Sequence, residues 1–415
     1  MSARLWCCAI PMLALASVVG IAQYVSQQPA HAEAIVKHFF AAGGIPDSVW
    51  NHVEVVDDSF WFDVIVKQNV GIGEGYMRGK VKLELLPFFV ALLNGTSLGT
   101  RWAIQDGFPI FKYIFALTQL PRDLTGYLAN MQTRDLSVRV AKTHYDAGND
   151  LYEAMLGPTM AYTCAYWKGA QDLDQAQINK WNLIFRKLES SPGMKVIDIG
   201  MGFGTTAKYM RDMGQLDVTG VSNSEEQVKW ATAHVAGPGL RFILSDYRDI
   251  CEDAAHVGTY DRLYTIGFLE AVGHHNLRSF FKCAKALLKP DGLAVVQTIG
   301  TVDFEPGVEA FTEKYIFPGG NIPALPSILS GAADLFVLED FQNIGYDYAT
   351  TLASWSNNSE SFFKQRPKAY SPEFQRMWAY YLRMAQANFE LRLLQLWHLV
   401  LSPQPVTRNG IARQL

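Results

Sequence analysis

The sequence is short of charge. Lys, Arg, Asp and Glu make up only 18% of its 415 residues, and 36 basic against 40 acidic side chains leave a net charge of −4. An average soluble domain carries about a quarter charged residues. Neutralising phosphates requires a basic excess, and no run of Lys and Arg occurs, so a nucleic-acid partner is excluded. Cysteine is scarce as well: of five, Cys7 and Cys8 fall inside the first hydrophobic segment. Cys164, Cys251 and Cys283 are scattered without CxxC spacing, which indicates neither a zinc site nor a stapled secreted fold and points to a reducing compartment. Internal repeats and low-complexity tracts are missing too. What is present in excess is apolar: 49% of the residues are hydrophobic and 13% aromatic. Disorder is therefore excluded as the main theme, and an apolar, membrane-adjacent partner suits the composition. The length predicts two or three domains, at roughly 150 residues each.

Residues 5–22, LWCCAIPMLALASVVGIA, carry no charge and lead into a polar stretch ending in Ala-His-Ala-Glu. The segment reads as a signal peptide cleaved near Ala30 and Ala32, or as an anchor, since about 20 residues at ~1.5 Å rise span a bilayer core. Residues 1–32 are accordingly set apart from the fold. Residues 33–139 read as a small, mostly helical accessory domain, with a turn-rich stretch GIGEGYMRGK at 71–80 and two apolar pieces, LLPFFVALL at 85–93 and FPIFKYIFALTQL at 108–120. Two readings of those pieces stand: packing against the following domain, or a surface that dips into lipid.

From residue 192 the pattern changes. Candidate strands KVIDIG (195–200), LDVTGV (216–221), LRFIL (240–244), DRLYTIG (261–267) and LAVVQTIG (293–300) alternate with amphipathic helical stretches such as 224–235 and 276–288. Strand and helix alternating at this spacing predict an α/β domain with a doubly wound parallel sheet.

The first strand ends VIDIGMGFGT, with Asp198 and then glycines at 200, 202 and 204. The chain must turn sharply there and let a ligand lie on its backbone beside a helix N-terminus. Alternating glycines differ from the GxGxxG of nicotinamide binders and favour S-adenosylmethionine. After the second strand, Gln227, Glu225 or Glu226 is placed to reach a ribose, although glutamates also suit a helix's first turn. After the third, SDYRD brings Asp246 and Tyr247 to where an adenine is covered.

The strings HYDAGNDLYEAMLGPTMAYTCAYWKGAQDLDQAQ (144–177), PGMKVIDIGMGFG, DYRD, FLEAVG (268–273), QTIG, KYIFPGG (314–320) and LQLWHLV (394–400) resemble the bacterial cyclopropane-fatty-acid-phospholipid synthases and the related mycolic-acid cyclopropane synthases. The resemblance runs from about residue 34 to about residue 402. It implies a Rossmann-like class I methyltransferase domain over 140–415 with an acyl-chain pocket. It also implies methyl transfer from S-adenosylmethionine to the cis double bond of a phospholipid acyl chain. Tyr162, Thr163, Asp198, Gly200, Gly202, Gly204, Gln227, Asp246 and Tyr247 would then line the cofactor.

In that family a bicarbonate, held by a Cys, a Glu, a His, a backbone amide and a Tyr, is thought to act as the base. The matching positions are Cys164, Glu270, Gln297, Ile299 and Tyr315. The His has become Gln297, whose amide donates hydrogen bonds but takes up no proton near neutrality. Other departures are Ala271 in the family's EHVG, Met201 and Phe203 in its glycine loop, and Ala385 where a late Cys stands. Gln297 would slow proton removal, divert the product towards a methyl branch, or mark a copy without activity.

His144 and Asp146 are expected to position a lid over the cofactor, with Asn149 or Asp150 capping the next helix. His274 and His275 have no third ligand in the pattern, so no metal is expected. The expected partners are membrane phospholipids with unsaturated acyl chains; the oligomeric state stays open, a homodimer being one reading. A membrane-associated protein with its catalytic part in the cytoplasm is expected, because S-adenosylmethionine is cytosolic; Asn94-Gly95-Thr96 and Asn357-Asn358-Ser359 are glycosylation sequons by pattern only. Within the enzyme class the rival is an amine N-methyltransferase, some of which share the HYDxGN and YxxAYW strings but lack the stretch at 71–80. From another class comes a non-catalytic lipid- or cofactor-binding protein.

Overall fold

The computed structural model describes residues 28–95, 130, 132–134, 148–302 and 308–404. The apolar segments at 5–22 and 108–120, and His144 and Asp146, lie outside the described residues. Two compact units divide the chain: one takes residues up to Thr125 together with Arg366–Ala387, the other takes Gly126–Gln365 with 388 onward.

The first unit contains the helices Pro29–Ala42, Ser59–Lys67, Asn69–Met77 and Leu85–Gly95 and an antiparallel pair, β1 (Val53–Val55) and β2 (Val81–Leu83). The expected turns at 71–80 are corrected: residues 71–77 continue a helix. Its glycines serve close approach. A Cβ on Gly71 would lie 2.2 Å from the Asp63 carbonyl oxygen and one on Gly75 2.5 Å from the Phe60 ring, so only glycine lets this helix pack on Ser59–Lys67. Glu74, 2% exposed on the same helix, is paired by Lys67 at 3.0 Å and Arg78 at 3.2 Å. In the 85–93 piece Phe88 and Phe89 are buried, and Phe89 meets Tyr380 of the helix Pro372–Glu390 at 4.8 Å. That apolar pair therefore packs inside its own unit. Ala385 lies on the same Pro372–Glu390 helix.

The second unit is built on β3 (Lys195–Ile199), β4 (Asp217–Ser222), β5 (Leu240–Leu244), β6 (Tyr260–Ile266), β7 (Leu288–Gly300), β8 (Phe336–Asn343) and β9 (Gln395–Pro403). Their order is β5-β4-β3-β6-β7-β9-β8. The five strands read from the sequence are β3 to β7, all parallel. The alternation pattern did not single out β8 and β9; β9 runs antiparallel to both β7 and β8. Both faces of β9 are covered, from Leu396 to Pro403, so no period of two is visible in it.

Helices flank the sheet on both faces. Leu173–Leu188 and Thr205–Gly214 pack over Val196, Val218, Val295 and Val400, while Leu277–Leu287 packs over Ile197, Val296 and Leu399. Strand order reverses between β3 and β6, and ligands of doubly wound sheets bind at the carboxyl ends of the strands at such a switch point.

The cysteine spacing, read as a sign of a reducing compartment, gave no sign of one pairing. Cys251 and Cys283, on neighbouring helices, form a disulfide with Cα atoms 5.3 Å apart. Sequence separation hides a pair that only helix packing brings together. The capping expectation changes too: Asn149 opens its helix, the N-cap is Gly148, and no side chain caps it. Among the described residues no helix is long and apolar enough to cross a membrane.

Candidate active site

The AYTC segment is held from beneath by one face of Leu173–Leu188, a helix started by Asp172, whose carboxylate accepts from the Gln175 amide. Gln177 and Lys180, one turn apart, project from that face. The Gln177 amide donates to the Ala161 and Thr163 carbonyls at 3.2 and 2.9 Å, and Lys180 Nζ donates to Thr163 Oγ1 at 2.7 Å. Lys180 is fully buried and its amine is pushed down to about 7, because burial disfavours its charge. From the other side Thr351 Oγ1 accepts from the Ala165 amide at 3.1 Å and from Trp167 Nε1 at 3.0 Å. Thr163, and the Ala161 and Ala165 backbone on either side of Tyr162 and Cys164, are therefore fixed by Gln177, Lys180 and Thr351.

Gly200 follows β3 with φ +81, and a Cβ there would come within 2.6 Å of the Phe268 ring. Phe268 in turn meets the Tyr247 ring at 5.6 Å, edge to face. The glycine loop, the end of β6 and the turn after β5 thus converge at the switch point. Tyr162 joins them through Tyr152, which contacts Tyr162 at 5.5 Å and Phe203 of the loop at 6.3 Å. At Gly202 nothing among the described residues lies within 4 Å of where a Cβ would stand, which leaves backbone for a ligand to approach.

Gln227 sits in the first turn of Glu225–His234, and its Oε1 accepts from Ser222 Oγ at 2.9 Å, so its NH2 is the group left for a ribose. Asp246 caps the helix Tyr247–Glu252, and Arg248 grips both its oxygens at 2.7 Å, holding its carboxyl below the usual range. Tyr247 is 7% exposed, and its hydroxyl meets no partner among the described residues. Asp198, buried at 2% exposure beside Tyr264, is pushed up to about 7 by burial. These groups fit S-adenosylmethionine: an open backbone at Gly202, an amide for hydroxyls, an aromatic wall, and a buried acid for positive charge.

Glu270 follows β6 on the short helix Leu269–Val272. One carboxylate oxygen accepts from the Ile299 amide at 2.6 Å, while the other is closed off from solvent and meets no partner among the described residues. The residue as a whole is only half-buried, but its carboxyl is enclosed, and that burial pushes it up to about 7. Gln297 lies two residues before Ile299 on β7, fully buried, and its carbonyl accepts from the Gly267 amide at 2.9 Å. Its side-chain NH2 has no partner among the described residues. Glu270, Gln297 and Ile299 are thus brought together at one strand end.

Cys164 is close in the chain to Thr163, whose methyl abuts Gly267. Burial holds its thiol well above the ordinary value, and it points at the Ala165 carbonyl at 3.2 Å, so it acts as a neutral donor. Tyr315 ends the helix Ala310–Tyr315, with Phe311 at 5.0 Å; the loop behind it reaches Glu270 through the Asn321 amide, which donates to the Glu270 carbonyl at 3.0 Å. Lys180, Gln177, Thr351 and His398 are the polar residues of this region that sequence reasoning missed. Only Gln177 and Lys180 carried a signal, as polar residues on the buried stripe of an amphipathic helix.

Against known proteins, residues 132–399 match the family described as mycolic acid cyclopropane synthetase. The chain is similar to the cyclopropane-fatty-acyl-phospholipid synthase of Escherichia coli (strain K12), 35% identical over 350 residues, covering 84% of this chain and 87% of that one. Among solved structures it is similar to the cyclopropane synthase MmaA2 from Mycobacterium tuberculosis, with a TM-score of 0.59 and 25% identity over 64% of this chain and 97% of that one. It is also similar to mycolic acid cyclopropane synthase CmaA1 complexed with SAH and CTAB, at TM-score 0.58 and 27% identity, covering 64% and 97%.

Proposed function

The chain belongs to the mycolic acid cyclopropane synthetase family, and on that premise we propose that it forms cyclopropane rings on unsaturated acyl chains of membrane phospholipids, with methyl groups from S-adenosylmethionine. The observation that carries the reading is the meeting of Glu270, Gln297 and the Ile299 amide beside the glycine loop. Gly200, Gly202, Gly204, Tyr162, Thr163, Asp198, Gln227, Asp246 and Tyr247 hold the cofactor, which supplies an electrophilic methyl group when bound. Asp246 acts there through its grip on Arg248 and its cap on the Tyr247 helix.

The alkene contributes the electron pair for the new carbon–carbon bond, and one proton must leave for the ring to close. The aromatic walls of Tyr162, Phe268 and Tyr247 keep water from the positive charge that develops on the acyl chain. We assign the proton to a bicarbonate anion received by the Gln297 NH2 and by Glu270, whose carboxyl the Ile299 amide holds in place, with Cys164 and Tyr315 completing the shell. Near neutrality Glu270 is partly protonated and so can donate to an anion's oxygen. A phospholipid substrate places the enzyme at a membrane surface, with residues 33–139 as the accessory part.

Incubation with labelled S-adenosylmethionine, bicarbonate and vesicles of unsaturated phospholipid tests the reading. Label recovered in cyclopropane acyl chains is expected. No label in lipid overturns it.

A further inference from the structure

Gln297 on β7 and His398 on β9 are direct partners across the antiparallel ladder. Alternate residues share a face, so both project to the side where Val295 and Val400 pack under the helix Leu173–Leu188. Each is fully buried. His398 Nε2 lies 2.8 Å from Gln297 Oε1. An amide oxygen only accepts, so Nε2 carries the hydrogen and Nδ1 is bare. In this arrangement the Gln297 NH2 is turned away from His398. That NH2 and His398 Nδ1 are buried without a partner among the described residues.

Leaving a buried donor unsatisfied is costly, so the Gln297 NH2 calls for an acceptor. The charged groups that influence the pair are Lys180 and Lys187 of the helix Leu173–Leu188, and Asp340 of β8, which is bonded to Lys187. Lys180 has the Thr163 hydroxyl as its partner, with no carboxylate against it among the described residues. Burial keeps the imidazole neutral, and Lys187 and Lys180 add to that effect.

We propose that His398 is a positioning residue: by donating Nε2–H to Gln297 it aims both amide hydrogens at the anion that accepts the proton of ring closure. Gln297 alone could rotate and present its oxygen, which would repel that anion. The pair supplies fixed donors where the family has a His. The proposal rests on the reading that Gln297 belongs to the bicarbonate site.

The test measures binding of 13C-bicarbonate by NMR to the full-length protein, beside cofactor affinity and thermal midpoint. The proteins compared are wild type, His398→Leu, which removes the donor, and His398→Gln, which keeps one. His398→Leu is expected to weaken bicarbonate binding about tenfold, the worth of a hydrogen bond to an anion, with cofactor affinity unchanged. His398→Gln is expected to stay within about threefold of wild type, since its NH2 also donates. A wild type that binds no bicarbonate overturns the inference, as does a His398→Leu variant that binds like wild type. If His398→Leu does not fold, a tenfold loss in a normally melting His398→Gln overturns it. A wild type that binds bicarbonate but puts no methyl on lipid overturns the proposed function and leaves the positioning role standing.

Discussion

The Lys180 ammonium donates to the Thr163 hydroxyl at 2.7 Å in a space with no solvent access. Its depressed titration has a consequence for stability. Between about 7, where the folded amine loses its proton, and 10.5, its ordinary value, the unfolded chain binds a proton that the folded chain does not. Stability contributed by this group therefore rises with pH through that window and falls back as pH drops towards 7. Urea unfolding at pH 7 and pH 9 should show a gain in wild type that Lys180→Met lacks, on the order of 1 kcal/mol per pH unit.

Glu270 has the opposite sign. Its folded carboxyl titrates at about 7 against an ordinary 4.5, so in between the folded state holds a proton that the unfolded state has lost. Wild type should lose stability relative to Glu270→Gln as pH rises from about 4.5 to about 7. Melting curves across that range give the comparison. The Gln variant still accepts from Ile299 but has no acid, and its ring-closing rate should fall about 10²-fold or more, read as cyclopropane formed per turnover.

Asp198 is held up at about 7 by burial, and a ligand carrying positive charge would favour its ionised form. Cofactor binding should therefore release a proton below pH 7 and tighten as pH rises through it. Titration calorimetry in buffers of differing ionisation enthalpy measures the proton. An equal pH dependence in Asp198→Asn would rule out this acid as the source.

Gly200 and Gly202 both have positive φ, at 81 and 57 degrees, but only Gly200 has a ring where a Cβ would go. Gly200→Ala should lower stability by roughly 2–4 kcal/mol, while Gly202→Ala should cost about 1 kcal/mol from backbone strain alone. Denaturant midpoints of the two variants distinguish them.

Thr351 accepts two buried donors, the Ala165 amide and Trp167 Nε1. Thr351→Val keeps the shape and leaves both unpaired, at about 1–3 kcal/mol each. A loss of that size by unfolding, with a weaker grip on cofactor through Tyr162 and Thr163, is expected. Thr351→Ser should restore both.

What the sequence determined by itself was local. The parallel strands β3 to β7, the loop Gly200-Met201-Gly202-Phe203-Gly204 and the Glu270 turn are legible because strand periodicity, glycine geometry and motif strings are encoded in contiguous residues. The helix Asn69–Met77 was not, because glycines that serve a close helix crossing look like glycines that serve a turn. Nor was the ladder that sets His398 beside Gln297, 101 residues apart in the chain, nor the seat of Lys180 under Thr163. Such neighbours are set by sheet register and helix packing, and through them burial decides which acids and amines hold their protons. The residue types at the site were written in the sequence, but their protonation and orientation were decided only when the fold closed over them.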